Sequence, residues 1–126
     1  MKDLKELTKA EDQVMQILWQ IERGVVKDII EKLPKPKPAY NTVSTIVRIL
    51  ETKGFVDHKA YGKTHEYFPI VSKIRYSKFY FNNMLKGYFN GSFKNLVSFF
   101  ANEHQLDAKD LDALMKHLEE IKKEKL

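Results

Sequence analysis

The chain has 126 residues, of which 43% are hydrophobic and 31% charged, with a formal net charge of +5 and a pI near 9.3. That balance belongs to a folded soluble chain rather than a disordered one, and no run approaches the roughly 18 apolar residues a membrane span needs. With no cysteine, disulfides, thiolate metal sites and a cysteine nucleophile are excluded, and the mixed-charge start Met1–Glu6 lacks a signal-peptide core, so the expected compartment is the cytoplasm.

Thr8-Lys9-Ala10-Glu11 reads as a capping box, in which the threonine oxygen accepts a backbone N–H and the glutamate reaches back. Behind it Val14, Met15, Leu18 and Trp19 recur at helical spacing, so a first amphipathic helix is expected to end before Gly24. Val26, Ile29, Ile30 and Leu33 mark a short second helix. It must stop at Leu33, because Pro34, Pro36 and Pro38 follow and proline disfavours helical geometry in its predecessor. A third helix runs from about Tyr40 to Lys53, with Gly54 as its stop. At about 100° per residue, Val43, Ile46, Val47 and Leu50 share one side while Asn41, Thr45, Arg48 and Thr52 share the other.

Two β-capable runs, from Phe55 and from Thr64, meet at Tyr61-Gly62-Lys63 and predict a hairpin. Three helices followed by a hairpin is the winged-helix order. Pro69 and a change to an aromatic helical pattern mark a boundary, which divides the chain into 1–71 and 72–126. Ser72 is the expected N-cap of a helix bearing Ile74, Phe81, Leu85 and Tyr88, with Gly87 and Gly91 expected to break it. Ser92 then opens a helix with Phe93, Leu96, Val97 and Phe100 at i, i+3, i+4 and i+7. Asp107 caps a last one with Leu111, Leu114, Met115, Leu118 and Ile121 on one side. Some 55 residues in three such helices can hardly bury this much apolar surface alone. The economical reading is a dimerisation region whose interface holds Phe81, Leu85, Phe93, Leu96, Val97, Phe100, Leu111, Leu114, Met115 and Leu118.

The fold class expected is therefore mainly α: a winged helix-turn-helix followed by a three-helix dimerisation region. Between Lys35 and His65 six basic residues face only Glu51 and Asp57. Any charge run is by default a solvated face. In this context, however, the third helix has what a major groove requires, short polar residues and a longer donor. Asn41, Thr42, Ser44 and Thr45 supply the first and Arg48 the second, and Tyr40 at the start of the helix is expected at the DNA as well. Lys35 and Lys37 before the helix, and Lys59, Lys63 and His65 on the hairpin, stand where phosphates would pass. The expected partner is double-stranded DNA, together with a second copy of the chain. A winged-helix module that docks a protein on its basic face, without operator specificity, stays open as the alternative.

Enzymatic readings find little support. His58, His65, His104 and His117 show no metal-ligand spacing along the chain. Glu119 and Glu120 look like a solvated helix end, and no serine stands in a nucleophile elbow. No glycine-rich phosphate loop is present. The expectation is no catalytic residue, no metal and no cofactor.

Leu7–Trp19, the run Tyr40–Val56, the stretch Gly62–Pro69 and Phe89–Val97 together resemble the penicillinase repressors of the BlaI/MecI type. The resemblance covers nearly the whole chain. It rests on a first helix ending in tryptophan, a Thr-Val-x-Thr-x-x-x-Arg recognition helix and Lys-Gly before the wing, with Ile49 where leucine is usual. It also rests on a Gly-Ser start to the middle dimerisation helix. The resemblance implies a bacterial homodimeric repressor on a palindromic operator, relieved when a membrane-bound sensor metalloprotease cuts the dimerisation region. The family's Asn-Phe cleavage position falls on Phe99 and Phe100, so the phenylalanine is kept and the asparagine is not. Copper-responsive relatives carry a C-terminal cysteine cluster that is absent here.

Overall fold

A computed structural model describes residues 3–104 and 106–125. Helix α1, Lys9–Ile21, begins with the expected capping box: Glu11 N–H donates to Thr8 Oγ1 at 3.2 Å and Thr8 N–H to Glu11 Oε1 at 3.0 Å. It buries Val14, Met15, Ile17 and Leu18, and ends as Glu22 turns to positive φ and its N–H donates to Leu18 O. Helix α2, Val26–Lys32, stops at Leu33, which is extended because Pro34 follows.

Helix α3, Tyr40–Thr52, places Val43, Val47 and Leu50 in the core. Its end is a Schellman arrangement. Gly54 sits at φ +84°, Gly54 N–H donates to Glu51 O at 3.0 Å, and Phe55 N–H donates to Leu50 O at 2.9 Å. Phe55 and Leu50 are both fully buried, so the backbone turn and the apolar contact reinforce each other. Strands β1, Val56–Tyr61, and β2, Thr64–Pro69, pair antiparallel from Val56↔Pro69 to Tyr61↔Thr64. Gly62, at φ +63°, takes the first position of the two-residue turn, which a side chain would strain. Gly24 bridges to Tyr67 through two backbone hydrogen bonds, of 2.9 and 2.8 Å, and so ties the α1–α2 turn to the hairpin.

Two compact units divide between Phe81 and Asn82, inside helix α4, Lys73–Phe89. In the first unit the core of Met15, Leu18, Ile29, Val43, Val47, Leu50 and Phe55 is closed by Tyr76 from α4. Tyr76 stacks obliquely near Trp19 and edge-on to Phe55, and its hydroxyl accepts from Leu7 N–H at 2.9 Å. Trp19 Nε1 donates to Val71 O at 2.8 Å. Three apolar segments distant in sequence are thus pinned by the polar ends of two aromatic residues.

The second unit holds the end of α4, helix α5, Phe93–Glu103, and helix α6, Ala108–Lys125. Ser92 Oγ accepts from Asn95 N–H and Asp107 Oδ1 from Asp110 N–H, so both caps fall where the sequence placed them. Gly87 is a correction, since α4 continues through it to Phe89. One glycine costs only about 1 kcal/mol against alanine in a helix interior. The chain turns instead at Asn90 and Gly91, both at positive φ. Among the described residues of this unit none is fully buried, and Tyr88, Phe93, Phe99, Phe100 and Met115 are all at least half exposed.

Candidate nucleic-acid interface

The outer face of α3 carries side chains that hydrogen-bond back to its own carbonyls. Thr45 Oγ1 donates to Asn41 O, Arg48 Nε to Ser44 O and Thr52 Oγ1 to Arg48 O, at 2.9, 3.3 and 3.1 Å. Each is an i to i−4 contact along one line, so the polar side chains lie along the helix in an ordered row. Tyr40, Asn41, Thr42, Thr45 and Arg48 are exposed, and Ser44 is half-buried. No acidic residue occupies the first turn of α3.

The hairpin comes alongside this row. Tyr40, Ser44 and Arg48 from α3 and Lys63, Thr64 and His65 from the hairpin line one cleft of about 270 Å³, floored by Val26 and Tyr67. Three expected helix residues and two expected wing residues therefore share one concave surface. Lys59 also lies on the hairpin, with Nζ 5.3 Å from the Tyr61 ring, a weak cation–π contact at an exposed site. The two lysines before α3 behave differently. Lys35 is exposed beside an apolar cleft with Pro34, Pro36 and Ile46. Lys37 Nζ donates to the carbonyls of Ile30, Glu31 and Leu33 at 3.0, 2.9 and 3.1 Å, so it caps the end of α2 and a phosphate would compete with three carbonyls for it.

Behind the cleft, α3 is anchored by charge. Lys53 Nζ meets Glu11 Oε1 and Oε2 at 2.8 and 2.9 Å, and Glu11 is almost fully buried. Burial alone would raise the Glu11 carboxyl, but the hydrogen bonds from Lys53 and Thr8 and the Lys53 charge outweigh it and hold the group below 4.5. Tyr67 is pushed above the ordinary 10.0 by burial first and by the Glu51 carboxylate second. A further link joins α3 to β1, with Glu51 Oε2 lying 2.6 Å from His58 Nδ1. His58 in turn stacks on His65 at 4.1 Å between ring centroids, with planes 11° apart. Glu51 and His58, together with Asp57, form the three-donor group among the described residues able to hold a metal ion. The spacing of the histidines along the chain gave no sign of it. The hairpin register turns His58 and His65 to the same face, since Ala60 pairs with His65 and His58 with Tyr67.

The expected interface residues Leu85, Leu96, Val97 and Leu111 are half-buried in the second unit, as is Phe81 at the end of the first, whereas Phe93, Phe100, Leu114, Met115 and Leu118 are exposed. Phe99 and Phe100, the positions of the implied cleavage, are 54% and 50% exposed on α5.

Three helices, a hairpin beside the third, and an ordered polar row on that helix make this a winged-helix protein. The sequence profile of the penicillinase repressors matches residues 7–120. The penicillinase repressor of Bacillus licheniformis is 26% identical over 126 residues, covering 99% of this chain and 98% of that one. The methicillin resistance regulatory protein MecI of Staphylococcus aureus (strain N315) is 32% identical over 114 residues, covering 86% and 89%. The solution structure of the DNA binding domain of the repressor BlaI superposes with a TM-score of 0.52 at 26% identity, over 60% of this chain and 94% of that one. The chain belongs to the penicillinase repressor family.

Proposed function

We propose that the protein is a sequence-specific, DNA-binding transcriptional repressor that acts as a homodimer on a palindromic operator and is not an enzyme. The observation that carries this reading is the shared cleft of Tyr40, Ser44 and Arg48 with Lys63 and His65. A helix that enters the major groove needs its phosphate-contacting flank at the same level, and the wing supplies it. In this reading Asn41, Thr42, Thr45 and Arg48 address base edges, while Tyr40, Ser44, Lys59, Lys63, His65, Lys35 and, in competition with its carbonyls, Lys37 address the backbone. No described helix is long and apolar enough to cross a membrane, which agrees with a cytoplasmic site of action.

The second region, 72–126, serves as the dimerisation domain, and the exposed apolar residues of α5 and α6 support that role. Two recognition helices would then meet successive major grooves, about 34 Å apart or a multiple of it. Cleavage at Phe99–Phe100 by a membrane-bound sensor metalloprotease would remove two-site binding, and with it most of the effective affinity, without touching α3.

The test is a salt-dependent titration against the DNA upstream of the protein's own gene, with a scrambled duplex as control. Tight binding to the upstream duplex alone, at two chains per site, is expected, with affinity falling steeply as salt rises. Arg48→Ala should weaken the specific complex by about 1–3 kcal/mol and leave random DNA unchanged. Equal, weak and fully salt-labile binding to both duplexes would overturn the repressor reading and favour a protein-docking module.

A further inference from the structure

Between Lys35 and His65 the chain has only two acidic residues, Glu51 and Asp57, and the fold brings both to one imidazole. Glu51 comes from the last turn of α3, whereas Asp57 and His58 come from β1. One donor atom from each lies within 4.8 Å of the other two. We propose that Glu51, Asp57 and His58 bind a divalent first-row transition cation that clamps the third helix to the hairpin.

Several features point that way. Glu51 Oε2 and His58 Nδ1, at 2.6 Å, already stand closer than two ligands of one ion need to be, so a small opening admits the cation. The exposed Asp57 carboxylate accepts His58 N–H through Oδ1, and one of its oxygens already stands within 4.8 Å of the other two donors. Two carboxylates this close repel each other, and a divalent cation removes that repulsion. Lys53 Nζ, which reaches both Glu11 oxygens at 2.8 and 2.9 Å, shares its charge with that carboxylate. Beside the donors a cleft of about 440 Å³, lined by Glu51 and Asp57 together with Val56, Ile70 and Arg75, has room for the water ligands that three protein donors leave over.

The donor set also selects the ion. Two oxygens and one imidazole nitrogen, with no thiolate, suit Zn²⁺, Co²⁺ or Ni²⁺ better than Mg²⁺ or Ca²⁺, for which nitrogen is a poor ligand. Because His58 stacks on His65, which lines the α3–hairpin cleft, cation binding would bear on the wing. That consequence rests on the DNA-binding reading; the site itself does not, so its test contains no DNA.

The untagged full chain is titrated with Co²⁺ and followed by its visible d–d absorption, then back-titrated with Zn²⁺. One equivalent of Co²⁺ per chain, displaced by Zn²⁺ and not by Mg²⁺, is expected. His58→Gln and Glu51→Gln should each weaken binding by at least about tenfold. Asp57→Asn keeps an oxygen for the His58 N–H and so preserves the fold, and it too should weaken the ion severalfold. No d–d absorption in the wild type would overturn the site. So would a Co²⁺ titre that survives Asp57→Asn and His58→Gln, since the ion would then belong to His65, His104 or His117.

Discussion

The two units of this chain use similar proportions of apolar side chain in opposite ways. Among the described residues all fifteen buried hydrophobics lie between Val14 and Tyr76, whereas Tyr88, Phe93, Phe99, Phe100, Leu114, Met115, Leu118 and Ile121 of the second unit are exposed. The first unit closes on itself because three helices and a hairpin surround one centre, with Trp19 and Tyr76 sealing its edge. The second unit has three helical pieces and no layer to cover them. The lesson is that an amphipathic stripe specifies a buried face and leaves open which partner buries it. In the first unit that partner is the same chain.

The largest contrast between the units is expected from damage to a phenylalanine in each. Phe55→Ala opens a cavity under a fully buried ring, and should cost about 3–5 kcal/mol in urea denaturation, independent of protein concentration. Phe100→Asp should leave the first unit's denaturation unchanged and convert a sedimenting dimer into a monomer, because it puts a charge into an apolar contact. An unchanged dimer would show that α5 is not covered by a second copy. A drop in stability of the first unit would show that the two units fold as one.

A middling effect probes charge, which the first unit buries and the second keeps in water. Glu11→Gln leaves Lys53 without its carboxylate and should cost about 2 kcal/mol, in the range for hydrogen bonds to charged groups. The Glu11 carboxyl titrates below 4.5 in the folded chain, so its contribution is present above that value and is lost as pH falls through the lower, folded value. The wild type should thus lose stability in acid more steeply than Glu11→Gln does. At the other limb, Tyr67 and Tyr76 are both raised above 10.0, chiefly by burial, so their share is complete below 10.0 and lost as pH climbs through the folded values. An acid limb identical in wild type and Glu11→Gln would deny the ion pair any role in folding.

Local signals were legible in the sequence. The capping residues Thr8, Ser72, Ser92 and Asp107, the proline stop after Leu33 and the glycine turn at Gly62 each act within four residues, and each stands where expected. The polar row of α3 was also readable, since 3.6-residue periodicity fixes which side chains share a face. What escaped were links across the fold. Gly24 to Tyr67, Glu11 to Lys53 and Leu7 to Tyr76 join residues roughly 40 to 70 positions apart, and no periodicity encodes them. The Glu51–Asp57–His58 group escaped for another reason: its residues are near in sequence but meet only where β1 leaves the end of α3. Gly87 misled because a single glycine costs a helix interior only about 1 kcal/mol, and α4 runs through it to Phe89.

The smallest effect sharpens the comparison most, because it uses the same chemistry in both units. Thr8 and Ser92 each accept a backbone N–H three residues on, at 3.2 and 3.1 Å. Replacing either by alanine should cost its helix about 1 kcal/mol. For Thr8 the loss should appear in full in global denaturation, since α1 carries Met15 and Leu18 into the core and cannot fray without opening it. For Ser92 the loss should appear as faster amide exchange confined to the first turn of α5, which buries nothing fully within its own chain. Exchange measured across a range of protein concentrations then separates two causes of local opening. If the α5 amides of Ser92→Ala regain protection as concentration rises, a second copy covers that face. Protection that stays flat would mean that the cap alone sets the helix's stability.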